Sequence, residues 1–190
     1  MSKKVIIVHG WSGRPDCGWM SWLNKELSSR GFEVIAERMP NPDTPEIKSW
    51  IAKLKKIISK PDEDVYFVGH SIGCQTILRY LESLPEKTRV GGVVFVAGWL
   101  NLINLETQEE KDVSKQWLET PIKFEKIKNK INKLVTIFSD NDPWVPLSDS
   151  EIMKKELGAK IILEKNKGHY IENETLEIPV ALKSILEMAK

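Results

Sequence analysis

Val65-Tyr66-Phe67-Val68-Gly69-His70-Ser71-Ile72-Gly73-Cys74-Gln75-Thr76-Ile77-Leu78 runs from an apolar stretch straight into an amphipathic one, with Gly-His-Ser-Ile-Gly at the junction. Val65 to Val68 are β-favouring and apolar, so they read as a buried strand. Ile72, Thr76, Ile77, Tyr80, Leu81 and Leu84 recur at helical spacing. A Gly-x-Ser-x-Gly placed between a strand and a helix reads as a nucleophile elbow, a sharp turn that lifts the serine hydroxyl above the sheet. The glycines two before and two after Ser71 remove Cβ atoms that would otherwise clash in so tight a turn. The helix that follows aims its first N–H groups and the positive end of its dipole at negative charge developing beside Ser71. Without that context the same five residues would be no more than a glycine-flexed turn after a strand.

Working outward, the chain repeats a strand-then-helix pattern. Val5 to Val8 leads into the glycine-rich loop His9-Gly10-Trp11-Ser12-Gly13, and Trp19 to Arg30 then has helical spacing. Phe32 to Ala36 is a second strand. Met39-Pro40-Asn41-Pro42-Asp43-Thr44-Pro45 can only be loop, because neither a helix nor an inner strand tolerates its prolines. Ile47, Trp50, Ile51, Leu54, Ile57 and Ile58 form the next helical stripe. Beyond the elbow helix, Val90 to Ala97, Leu134 to Phe138 and Lys160 to Leu163 read as strands. Helices are expected near Ser150 to Leu157 and from about Leu176 to Met188. Six strands alternating with helices predict a doubly wound α/β fold, with a six-stranded, mainly parallel sheet and helices on both faces. One domain over residues 1–190 accommodates this pattern. The segment between the fourth and fifth strands exceeds a simple crossover, and 99–122 is expected either to form a short lid over the site or to be a crossover helix with its loop.

Composition narrows the function. The chain has 190 residues, 41% hydrophobic and 29% charged, with a net charge of +1 and no long block of one sign, so nucleic acid and anionic membrane are not expected partners. The lysines of 53–60 and 123–133 alternate with Ile and Leu as on solvated helix faces. Four apolar residues near the start are too few for a signal-peptide core or a membrane span, which predicts a cytoplasmic protein. Two cysteines, Cys17 and Cys74, form neither a disulfide framework nor a metal-ligand spacing.

A serine hydroxyl needs a base within hydrogen-bond reach and a third group to orient that base. Of the three histidines, His9 belongs to the first glycine loop, and His70 precedes the serine and is expected to point away along the turn. His169, in Asn166-Lys167-Gly168-His169-Tyr170 after the last strand, fits the order serine, acid, histidine of the elbow architecture. The acid belongs after the fifth strand, in Ser139-Asp140-Asn141-Asp142-Pro143-Trp144-Val145-Pro146. Asp142 is the choice, since Pro143 fixes the turn behind it, while Asp140 is expected to cap that turn through its own backbone. The oxyanion hole would use the backbone N–H groups of Ile72 and Trp11. Trp11, Trp99 and Trp144 fall at strand ends, where α/β folds bind ligands, and are candidates to line the substrate pocket.

Together His9-Gly10-Trp11, Met39-Pro40-Asn41-Pro42, Gly69-His70-Ser71-Ile72-Gly73-Cys74, Asp140-Asn141-Asp142-Pro143-Trp144-Val145-Pro146 and Gly168-His169-Tyr170 resemble the small serine hydrolases of the retinoblastoma-binding protein 9 and YdeN-like family. The resemblance spans nearly the whole chain in order. It implies a compact α/β-hydrolase fold lacking the two leading strands of larger members, with Ser71, Asp142 and His169 on the family's triad positions and hydrolysis of small esters or peptides. Trp11 stands at a position that varies in the family. The expected function is hydrolysis of a small carboxylic ester, thioester or amide through an acyl-enzyme, with no cofactor and no metal, in a monomer or weak homodimer. The alternative is a catalytically silent α/β-hydrolase fold that binds a protein partner.

Overall fold

In the computed structural model, which describes residues 3–171 and 173–190, the polypeptide winds as six strands and six helices. The strands are β1 (Lys4–Val8), β2 (Glu33–Ile35), β3 (Val65–His70), β4 (Gly92–Val96), β5 (Leu134–Ser139) and β6 (Lys160–Glu164). The helices are α1 (Gly18–Ser28), α2 (Ile47–Ile57), α3 (Ile72–Glu82), α4 (Gln108–Glu119), α5 (Ser148–Leu157) and α6 (Pro179–Met188). The sheet order is β2-β1-β3-β4-β5-β6 and every pairing is parallel. The expected α/β-hydrolase-type architecture is therefore present, with a sheet more uniformly parallel than foreseen.

Residues alternate between two cores, as a period of two in a doubly covered sheet requires. Ile6, Val8, Phe67, Val93 and Phe95 face α2, α3 and α5, where Trp50, Leu54, Ile77 and Met153 are buried. Val5, Ile7, Val68, Val94 and Ile137 face α1 and α6, with Trp19, Leu23, Ala181 and Ile185. Trp19 and Trp50 are fully buried, as their helical spacing suggests, while Trp22 is half-buried.

After β1 the chain turns to β2 on one side, and after β3 it proceeds to β4 on the other. The C-terminal ends of β1 and β3 thus form the point where winding reverses, which opens a crevice there. Ser71 follows β3 into that crevice, and the His9 to Gly13 loop follows β1.

Two details depart from the sequence reading, at the last helix and at 123–133, while 99–122 holds a helix as either reading of it allowed. The last helix begins at Pro179 rather than near Leu176, because the residue before a proline is pushed out of helical geometry and proline suits the first helical position. The 99–122 stretch contains α4, opened by a capping box between Thr107 and Glu110. The lysine-rich 123–133 stretch holds two short 3-10 turns instead of an amphipathic helix, and Lys130 is buried. Its Nζ donates to the carbonyls of Leu81 at 2.9 Å and Leu84 at 2.6 Å, at the end of α3 and just past it, where a cation complements the helix C-terminus. Burial lowers the affinity of that amine for its proton.

Among the described residues, no helix is long and apolar enough to cross a membrane.

Candidate active site

Ser71 is the residue between β3 and α3, and its backbone has φ 51° and ψ −120°, in the left-handed half of conformational space that a side-chain-bearing residue rarely occupies. The turn is held by Ser71 N–H on the Val96 carbonyl at 3.0 Å and by Cys74 N–H on the Ser71 carbonyl at 3.0 Å. Two glycines make it possible. A Cβ on Gly73 would lie 2.4 Å from the Val8 carbonyl oxygen and 2.6 Å from that of His9, so α3 can start against the end of β1 only without a side chain there. A Cβ on Gly10 would come within 2.8 Å of His70 Nδ1, so the loop after β1 packs directly onto the elbow.

The structure brings Ser71, His169 and Asp142 together. His169 Nε2 is 2.9 Å from Ser71 Oγ, and His169 Nδ1 is 2.8 Å from Asp142 Oδ2. A carboxylate only accepts, so Nδ1 carries the proton and Nε2 is left with its lone pair toward the serine hydroxyl. Asp142 is itself fixed, since its Oδ1 accepts the N–H groups of Trp144 at 3.0 Å and Val145 at 3.1 Å, and its side chain is 2% exposed.

Asp140 does not cap this turn. Asp142 does so, whereas Asp140 Oδ1 reaches across to accept Asn166 N–H at 2.8 Å. That bond belongs to a zipper not anticipated from the sequence. Ser139 Oγ accepts Lys167 N–H and Asn141 Oδ1 accepts Gly168 N–H, each at 2.9 Å, so Ser139 to Asp142 grip successive residues up to His169. The run Ser-Asp-Asn-Asp was the available signal: four short acceptors at one strand end.

His70 also departs from expectation. Rather than pointing away, it donates Nε2–H to the His169 carbonyl at 2.8 Å and borders the cleft. His9 is wholly buried; its Nε2 accepts Met39 N–H at 2.8 Å while Nδ1–H donates to the Gly10 carbonyl at 2.7 Å, which ties the proline-rich loop to the end of β1.

Above Ser71 lies a cleft of about 280 Å³. Trp11, Trp99 and Trp144 all border it, with Ile72, Leu102, Leu105 and Ile171, and Glu110 is the carboxylate among its lining residues. Trp144 meets the His169 ring edge to face at 5.1 Å. Trp99 is 2% exposed and its indole N–H points to Ser71 Oγ at 3.2 Å. Of α4, Glu110 in the first turn borders the cleft, and the helix is fastened at its C-terminal end: Arg79 donates to the carbonyls of Trp117 at 2.8 Å and Thr120 at 2.7 Å, and Trp117 Nε1–H to that of Pro45 at 3.0 Å.

Among the described residues, no group of three or more His, Cys, Asp or Glu side chains gathers as a metal site would require. Cys74, one turn into α3, is fully buried, and burial pushes its thiol pKa far above the ordinary value. Iodoacetamide at pH 8 is therefore expected to leave Cys74 unmodified in the folded protein while alkylating the half-exposed Cys17, as peptide mass mapping would show.

The profile of the family described as serine hydrolase matches residues 5–178. YdeN of Bacillus subtilis (strain 168) is 30% identical over 174 residues, covering 92% of this chain and 89% of YdeN. Serine hydrolase RBBP9 of Rattus norvegicus is 26% identical over 189 residues, 98% of this chain and 97% of the relative. The crystal structure of the ydeN gene product superposes with a TM-score of 0.89, covering 98% of each chain at 26% identity. A family match that extends from β1 to the residue before α6, and so takes in the elbow, the Asp142 turn and the His169 loop, means that the protein belongs to the serine hydrolase family.

Proposed function

We propose that this serine hydrolase cleaves small carboxylic esters, with thioesters and amides as related substrates, through an acyl-enzyme built on Ser71. The observation that carries this reading is the continuous hydrogen-bonded chain from Asp142 through His169 to a serine held at a strained strand-to-helix corner. In the reaction, Ser71 Oγ bonds to the substrate carbonyl carbon as its proton passes to His169 Nε2. The tetrahedral intermediate then expels the alcohol, which takes that proton. Water, deprotonated by His169 in turn, adds to the acyl carbon, and Ser71 leaves with its proton restored. Asp142 keeps the imidazole in the tautomer that can accept, and stabilises the imidazolium that forms.

The carbonyl oxygen would be held by the backbone N–H groups of Ile72 and Trp11. The first N–H groups of a helix have no intrahelical partner, and the close approach of Gly10 to the elbow brings the two loops side by side. Trp99 and Trp144 would contact the acyl group. A small cleft walled largely by indole rings and aliphatic side chains favours a short apolar acyl chain.

The test is labelling with a fluorophosphonate, followed by peptide mapping, alongside hydrolysis of p-nitrophenyl acetate. Modification confined to Ser71 and lost in His169→Ala is expected. A folded protein that neither labels nor turns over the ester would sink the reading and leave a protein-binding role for the fold. The rate should also rise with pH along one limb, because protonated His169 cannot accept the serine proton, and histidines titrate between about pH 5 and 8. A pH-independent kcat/KM over that range would exclude His169 as the base.

A further inference from the structure

The chain leaves β4 through Ala97, whose φ of 47° turns it sharply, and passes Gly98 to Trp99. The next two residues are clamped by Asp149, a fully buried carboxylate on α5. Its Oδ2 accepts Leu100 N–H at 2.6 Å and Asn101 N–H at 2.8 Å, and its Oδ1 accepts Asn101 Nδ2–H at 2.7 Å. Trp99 is thus fixed from both sides, with its indole buried and Nε1–H directed at Ser71 Oγ, 3.2 Å away. The loop holds the indole N–H against the oxygen of Ser71 itself.

We propose that Trp99 is a catalytic residue, a side-chain donor that serves the serine oxygen in both the formation and the breakdown of the acyl-enzyme. This rests on the reading of Ser71 as the nucleophile. An indole nitrogen donates and cannot accept, so the Trp99 contact occupies a lone pair of Oγ and leaves the hydroxyl hydrogen to His169 Nε2 at 2.9 Å. The hydroxyl rotor is thereby set for proton transfer before substrate arrives.

The second effect arises as the bonds change. When the O–H bond breaks toward Nε2 and the bond from Oγ to carbon is still incomplete, negative charge gathers on Oγ. In deacylation the bond from carbon to Oγ breaks, its electron pair returns to Oγ, and the proton comes back from Nε2. At both moments the N–H of the buried Trp99 indole faces the oxygen that carries the charge. A separation of 3.2 Å is at the long end for N–H···O and is free to shorten as charge grows, as catalytic hydrogen bonds do on approach to the transition state. The backbone donors of the proposed oxyanion hole act on a different atom, the former carbonyl oxygen, so the two contributions are separable.

The experiment compares wild type, Trp99→Phe and a protein in which Trp99 is exchanged for 3-benzothienylalanine, which keeps the bicyclic shape and has sulfur in place of the N–H. The second-order rate of Ser71 modification by a fluorophosphonate and the steady-state constants for p-nitrophenyl acetate are measured on protein shown by circular dichroism to be folded. Loss of a hydrogen bond to a charge-bearing oxygen should slow both Ser71 modification and kcat by about tenfold or more in the benzothienyl protein, with KM within about twofold of wild type. A benzothienyl protein that labels and turns over within about twofold of wild type would overturn the proposal, whatever Trp99→Phe does, because the contact would then only satisfy a buried N–H. A change confined to KM would overturn it too. If wild type itself is not labelled at Ser71, the reading of the nucleophile fails and this proposal with it.

Discussion

Ser71→Ala is expected to lower kcat for short-chain aryl esters by about four orders of magnitude or more, with a folded protein left behind. His169→Ala should fall nearly as far, and the double variant hardly further, since nucleophile and base act as one unit whose parts lose value together. Removing Oγ breaks only its bonds to His169 and Trp99, so the midpoint of thermal unfolding should move by a few degrees at most. Ser71→Gly sharpens the point. At φ 51° and ψ −120° a Cβ is strained, and glycine relieves about 1 kcal/mol or more of that strain. The glycine variant should therefore be equally inactive yet unfold at higher denaturant than Ser71→Ala. If the two variants unfolded together, the corner would not be storing strain for the sake of the nucleophile.

Gly73→Ala should do the reverse, with damage that begins in the fold. A methyl group at that position would sit 2.4 Å from the Val8 carbonyl oxygen and 2.6 Å from that of His9, both backbone atoms at the end of an inner strand. Neither can swing aside as a side chain could, so α3 must lift away from β1. A loss of about 3 kcal/mol or more in stability is expected, toward the severe end of overpacking effects, and equilibrium denaturation would measure it. Activity should fall as well, because lifting α3 carries Ile72 N–H away from the loop that bears Trp11. Gly158→Ala provides the contrast. That glycine caps α5 at φ 68° with open space around it, so only the backbone preference is lost, about 1 kcal/mol. If Gly73→Ala proved no worse than Gly158→Ala, the contact between α3 and β1 would not be what fixes the corner.

Much of this arrangement could be read from the chain because the signals were local and strong. Strand runs such as Val5 to Val8 and Val65 to Val68 are short, apolar and bounded by glycine, and the elbow glycines announce their turn directly. His169 could be singled out because the chain has three histidines and it alone follows the serine and the acid in order, although the place expected for His70 was wrong. What escaped was set by side-chain direction and long-range register. The bonds from Ser139, Asp140 and Asn141 to residues 166–168 depend on how β5 and β6 align, which no local pattern encodes. Lys130 resembles its solvated neighbours in sequence, and only the folded end of α3 gives its amine carbonyls to cap. The indole of Trp99 could be assigned to the cleft from its place after a strand. Its aim at Ser71 followed from a left-handed Ala97 and a buried carboxylate fifty residues downstream.

The way α4 is fastened separates two tasks. Arg79 and Trp117 rivet its far end to α3 and to the proline-rich loop, while the near end, Glu110 with Leu102 and Leu105 before it, borders the cleft. Ser71, Asp142 and His169 stand beyond the ends of β3, β5 and β6, while Leu102, Leu105 and Glu110 border the cleft from the segment that leads into α4. Under the proposed function, that segment is where sequence changes would alter what the cleft admits while the supports of Ser71, Asp142 and His169 stay as they are.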